Sequence, residues 1–241
     1  MRPIARLSLP AFDVLWEDVA AGSLPYPFDV DTHGETLDER ERIRTQVYAD
    51  LERQGLVERG RPEPHLEGAL NLLAHNELRV IALCMPDTCQ DELVRAGVVA
   101  RGNHAVLFTQ KSTEVTLNLV QPNEIATRLA GAMPENQPGP GQAVTVPAEA
   151  FEARKQDGFK QAVRDTESED VRLAKQMLTG PATGHGHFLV QTDDSELPPV
   201  TWVDTRKGRY ATVSARPGWF TVGPADNAGL ARQLGRVLTT R

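Results

Sequence analysis

The chain passes through the same series of elements twice. TLNLVQPNEIATRLAGAMP reads as a strand, a proline break and a helix, and WFTVGPADNAGLARQLGRVL repeats that course near the C-terminus. The apolar residues of the first helix are Ile125, Ala126, Leu129, Ala132 and Met133; those of the second are Leu230, Ala231, Leu234, Val237 and Leu238. Their mutual spacings are identical, and each set forms one helical face. Each strand follows a hairpin turning at a glycine, Gly102 in DELVRAGVVARGNHAVLFTQ and Gly208 in PVTWVDTRKGRYATVS. One amphipathic helix resembles another by chance; the ordered recurrence of hairpin, strand, proline and helix argues for a duplicated unit. Tight turns make these strands antiparallel, and strand runs set between helix runs give the α+β class. The expected architecture is a central antiparallel β-sheet flanked by helical bundles, with a quasi-two-fold internal repeat. A single domain spans 1–241, with half-repeats over 36–133 and 147–241 joined by the Pro/Gly-rich connector 134–146.

The rest of the chain is consistent with that plan. TLDERERIRTQVYADLERQG opens with a capping box, Thr36 to Glu39, and carries an apolar stripe of Ile43, Val47 and Leu51. PHLEGALNLLAHN reads as a second helix. ELRVIALCM is nearly all apolar, as a central strand covered on both faces would be. TESEDVRLAKQML shows a second capping box, Thr166 to Glu169, GHGHFLVQT is a strand, and Pro224 suits the first turn of the last helix.

Composition removes several classes of function. A net charge of -7 argues against sequence-independent nucleic-acid binding and against adhesion to anionic membranes. No apolar run approaches transmembrane length, and the N-terminus lacks the apolar stretch of a signal peptide. The two cysteines, Cys84 and Cys89, cannot build a disulfide framework, so a reducing cytosol is expected. They also lack the further ligands that zinc requires. GPATGHGHF leads into a strand, whereas a phosphate loop leads into a helix. His185 and His187 share a strand face and could chelate a metal together, but no third ligand is recognisable. No nucleophile elbow or zinc-protease motif occurs, and carboxylates cluster at helix starts, where they complement the dipole. No catalysis, cofactor or metal is expected.

Four stretches carry a resemblance. LSLPAFDVLWEDV with LPYPFDVDTHGET, then GHGHFLVQT, VTWVDTRKGRY and WFTVGPADNAGLARQLGRVL, in this order and spacing, are similar to the EspG family of actinobacterial proteins associated with type VII (ESX) secretion. The resemblance implies a cytosolic chaperone that binds the exposed tip of the PPE protein in a PE–PPE helical pair. It would keep that client soluble and direct it to the secretion machine. It implies the same sheet-and-bundle fold that the repeat suggests. His187 departs from the Gln or Arg common before the Phe, and a helical hairpin of the WXG type is the alternative client. A chaperone covers an apolar patch with a complementary groove and a polar rim. The candidates for that groove are Phe188, Val190, Trp202, Tyr210 and Trp219, with Leu234 and Leu238 from the last helix. With aromatics at 5%, the same residues are also wanted for the core. The partner is thus a secreted helical-hairpin protein, without nucleic acid or membrane insertion; a homodimer stays open. The alternatives are a small-molecule-binding or regulatory domain, and an enzyme using His185 and His187.

Overall fold

The computed structural model describes residues 2–20, 22–90, 92–152 and 168–239. In chain order these form β1 (Arg2–Ser8), α1 (Leu9–Val19), α2 (Leu37–Arg53), β2 (Val57–Glu58), β3 (Arg61–Pro62), α3 (Pro64–Ala74), β4 (Leu78–Met85), β5 (Val94–Arg101), β6 (His104–Gln110), β7 (Glu114–Val120) and α4 (Ile125–Gly131). There follow β8 (Val144–Pro147), α5 (Glu149–Glu152), α6 (Glu169–Leu178), β9 (Ala182–Thr192), β10 (Glu196–Thr205), β11 (Gly208–Arg216), β12 (Trp219–Pro224) and α7 (Asn227–Thr239).

Ten strands make one antiparallel sheet in the order β1-β7-β6-β5-β4-β9-β10-β11-β12-β8, and β2 pairs with β3 separately. The seam lies between β4 and β9, where Ile81 faces Leu189 and Ala82 faces Phe188. Outward from it, each side runs through a hairpin, a third strand and an outermost strand that comes first in its own half. β1 and β8 therefore hold equivalent places. The duplicated units accordingly differ from the expected bounds: we read them as Arg2 to Met133 and Val144 to Thr239, because the end of the glycine-rich connector is itself the strand β8. Both sheet edges oppose pairing with another chain. β1 carries Arg2, Pro3 and Arg6 and a register break between Pro3 and Ala5, and β8 is only 4 residues long.

The two faces of the sheet are covered differently. On one, α4 and α7 lie over the central strands, and Ile125, Leu129, Leu230 and Leu234 bury against Val80, Val98, Phe188, Val190 and Trp202. On the other, α1, α2 and α3 cover the first half through Phe12, Leu15, Leu51, Leu66 and Leu70 against Phe108 and Leu117. There α6 covers the outer second half, placing Val171, Ala174 and Met177 against Val144, Val146, Tyr210 and Val222. Each such Leu or Val is worth roughly 1.5–3 kcal/mol of transfer free energy when fully buried.

Local capping sets the helix starts. Thr36 Oγ1 accepts from the Glu39 amide at 3.2 Å, while Glu39 reaches one residue further back than expected, accepting from the Glu35 amide at 3.0 Å. Thr166 lies outside the described residues; α6 is capped by Ser168, which accepts from the Val171 amide at 3.3 Å. Pro224 ends β12 instead of opening α7, whose cap is Asp226, accepting from the Gly229 amide at 2.6 Å.

The long loop between α1 and α2 is held by a buried carboxylate. Asp13 is 8% exposed and accepts from the His33 amide, the His33 ring and the Arg40 guanidinium. Phe28 wedges the loop between Phe12 and Phe108, with ring centroids 4.8 and 4.6 Å away. Burial alone raises the Asp13 pKa; the hydrogen bonds from Arg40 and His33 outweigh it and hold the carboxyl below its ordinary 3.8. A depressed carboxyl pKa contributes stability that is fully present above the unfolded value and is lost as pH falls through the folded one. Asp13→Asn is expected to cost about 2 kcal/mol at neutral pH. Urea denaturation should show the gap between variant and wild type closing only below the ordinary aspartate range.

Candidate functional site

The strip of sheet between the two helical layers of the second face is the candidate site. β4 and β9 contribute alternate residues to it. Leu83 pairs with His187, Met85 with His185, Ile81 with Leu189 and Arg79 with Gln191, and directly paired residues share a face. Thr201 and Val203 of β10 extend the strip beside His187 and His185. Ile81 is buried at its floor, whereas Leu83, Met85, His187, Leu189, Thr201 and Val203 are half-buried and His185 is exposed. Among the described residues, the helices of this face pack on the flanks, α1–α3 over β5–β7 and α6 toward β8 and β12. The result is a shallow trough with an aliphatic floor and polar ends.

Its walls are fixed in advance. Gln110, 6% exposed, binds the loop at Asp29, accepting from the Asp29 amide at 3.0 Å and donating to the Asp29 carbonyl at 2.6 Å. Arg95, which pairs with Leu83 across β4 and β5, bonds the Asp29 carboxylate at 2.6 Å. Arg79, at the other end of the strip, has no ion-pair partner among the described residues, and burial lowers its pKa.

The residues expected to line a groove sit elsewhere. Phe188, Val190, Trp202 and Leu234 are at most 3% exposed and belong to the core beneath α4 and α7, on the opposite face of the sheet. Phe188 and Trp202 stack there with centroids 4.9 Å apart. Tyr210 is buried under α6. These five are therefore corrected from groove to core: their side chains are used up in holding the layers together. Trp219 is half-buried near the β8 edge, with the Arg216 guanidinium 4.3 Å above its ring, and Leu238 packs partly against the core at the end of α7. Neither lies on the trough face of β4, β9 and β10. The residues that do, Leu83, Met85, Leu189 and Val203, are one position out of step with Phe188, Val190 and Trp202.

GHGHFLVQT is explained by the same alternation. Gly184 and Gly186 point to the covered face, and a Cβ on Gly186 would meet the Trp202 ring at 2.2 Å and the Leu83 carbonyl at 2.7 Å. The histidines point the other way. Burial, and then the charge of His185, lowers the His187 pKa. No group of three or more His, Cys, Asp or Glu among the described residues could hold a metal ion. Cys84 is buried and its thiol is pushed up to about 11, chiefly by burial, so it is not a nucleophile at neutral pH; Cys89 is exposed, and both are free.

The VTWVDTRKGRY and GPADN stretches form a clasp. Arg209 is 0% exposed and grips Asp204 with two bonds, Nε to Oδ1 at 2.7 Å and Nη2 to Oδ2 at 2.9 Å. It also donates to Asn227 Oδ1 at 2.6 Å and to the Pro134 carbonyl at 3.0 Å. Asn227 in turn donates to the carbonyls of Ala130 and Met133, each at 3.0 Å. The clasp thus joins the end of α4, the start of α7 and the β10–β11 hairpin. Gly208, at φ +122°, lets the connector pass: a Cβ there would meet the Gly139 nitrogen at 2.6 Å. Tyr210 closes the packing by donating to the Pro140 carbonyl at 3.2 Å.

No helix among the described residues is long and apolar enough to cross a membrane. No curated protein matches the chain. Fourteen chains of solved structures do. One is the type VII secretion system chaperone EspG5 of Mycobacterium tuberculosis, solved in complex with a PE25–PPE41 dimer, at 18% identity and a TM-score of 0.68, covering 97% of this chain and 95% of that one. At that identity the likeness establishes the fold. Residues 8–236 match the family model described as the EspG family.

Proposed function

Because the chain belongs to the EspG family, we propose that it is a chaperone of a type VII secretion system and that the trough over β4 and β9 receives its client. The client is the tip of a secreted helical hairpin of the PE–PPE kind; the structurally similar M. tuberculosis chaperone was solved in complex with a PE25–PPE41 dimer. The observation that carries this reading is the aliphatic strip at the β4–β9 seam that no helix covers among the described residues, where Leu83, Met85 and Leu189 are only half-buried. An exposed apolar hairpin tip associates with others of its kind; covering it with a complementary surface removes that hazard. Arg79, His187 and Gln191 supply the polar boundary that lets the pair separate again. A half-buried guanidinium without an acid of its own suits a carboxylate, or the carbonyl end of a helix, on the client.

This function requires no bond to be made or broken. The protein acts in the cytoplasm, before its client is exported. Co-expression with candidate PE–PPE-type helical-hairpin proteins from the same organism tests the reading. A stoichiometric complex with a PPE-like protein, lost in the variant Leu83→Glu, is the expected result. Co-purification of a WXG-type hairpin instead would change the client class, and failure to retain any such protein would overturn the proposal.

A further inference from the structure

We propose that a second site, the cleft between α3 and the outer strands of the first half, binds an amphipathic organic anion: an apolar chain or ring bearing a carboxylate or phosphate. The cleft has a volume of about 980 Å³, the size of a small-molecule site. It lies toward the β1 edge, away from the β4–β9 seam, and its use is independent of the client. Its floor is apolar, formed by Ile4, Ala69, Leu72, Val106 and Leu119. Its rim is rich in donors: the guanidinium groups of Arg2 and Arg101 and the imidazoles of His65, His75 and His104. Half of the chain's 6 histidines line this one cleft, in a protein of net charge -7. The single carboxylate lining it, Glu77, is already engaged by Arg101 at 3.4 Å and by the Gly102 amide at 3.2 Å. Glu63, just outside, stands 3.7 Å from His65 and caps α3. Arg2, His75 and His104, which have no acid partner among the described residues, therefore face an apolar floor, and that combination suits an anionic amphiphile.

Gly68 supplies the second, independent observation. It sits in the middle of α3, where glycine costs roughly 1 kcal/mol relative to alanine. Nothing in its packing requires that cost: a Cβ built there meets no atom within 4 Å, and its φ is not in the left-handed region. What the missing side chain does is keep the wall of the cleft low. A helix of 11 residues thus forgoes stability at a position lining the cleft, and the open wall leaves room for an occupant.

Isothermal titration of the intact protein with decanoate tests the site. One-to-one binding is expected, with decyltrimethylammonium binding at least tenfold more weakly. In Gly68→Leu the leucine should fill the cleft, abolish decanoate binding and leave the melting temperature equal or higher, since leucine is the better helix former. Arg2→Glu/Arg101→Glu, changes at exposed positions, should weaken binding roughly tenfold without unfolding the protein. Co-sedimentation with phosphatidylglycerol vesicles separates the two sources of such an anion: binding to decanoate but not to vesicles identifies a free amphiphile, and binding to both identifies a lipid head group presented at a surface. No titration signal up to about 1 mM decanoate, equal binding of the cationic analogue, or unchanged binding in Gly68→Leu would each overturn the proposal.

Discussion

Arg209→Met should be among the most damaging single substitutions in this chain, lowering the unfolding free energy by about 3–5 kcal/mol. A domain holds only about 5–15 kcal/mol in total. The arginine has no exposed surface, and its removal strands the Asp204 carboxylate, 5% exposed, without a counter-charge. It also releases Asn227 and the Pro134 carbonyl, and with them the tie between α4 and α7. Chemical denaturation at neutral pH measures the loss. The companion variant Asp204→Leu/Arg209→Met distinguishes the ion pair from mere bulk: once no buried charge is left behind, much of the stability should return, and the two changes should be strongly non-additive. If the single variant unfolds at the wild-type denaturant midpoint, the clasp contributes nothing and the packing of α7 rests on Leu230 and Leu234 alone.

The clasp also explains which parts of the architecture could be read from residues in order. The hairpins, the apolar strand of β4 and the two terminal helices announce themselves because turn glycines and helical spacing are local signals. β1 and β8 do not. Each pairs with a strand far away in sequence, and β8, only 4 residues long, hides in a stretch whose prolines and glycines suggest a connector. The sheet was therefore legible at its centre and not at its edges. The site failed for a different reason. On β9 the alternation is plain: Gly184, Gly186, Phe188 and Val190 on one face, His185, His187, Leu189 and Gln191 on the other. Period two reveals that the faces differ but not which one a helix will cover. The larger apolar side chains drew attention to Phe188, Val190 and Trp202, and the same bulk drives them under α4 and α7. A trough that must stay in water when empty is built instead from isolated aliphatics among polar neighbours, as Leu189 is between His187 and Gln191.

Two adjacent residues should therefore respond in opposite ways to the same change. Val190→Glu places a carboxylate in the fully buried layer against α7, among aliphatic and aromatic side chains. The cost is several kcal/mol, and the variant should be insoluble or melt far below wild type. Leu189→Glu places the same group one step along the strand, on the half-buried trough face beside Ile81. The carboxylate can reach water there, so stability should change by about 0.5 kcal/mol or less, as for other surface substitutions. Client binding should respond in reverse. A charge at the centre of an apolar contact is expected to cost 2 kcal/mol or more, roughly a thirtyfold loss of affinity. Calorimetry of each variant and pull-down of the co-expressed client supply the two readouts. A Leu189→Glu protein that folds and still holds its client means the client docks elsewhere on the molecule. A Val190→Glu protein that folds normally means α4 and α7 do not close that face, and the sidedness of the sheet is reversed.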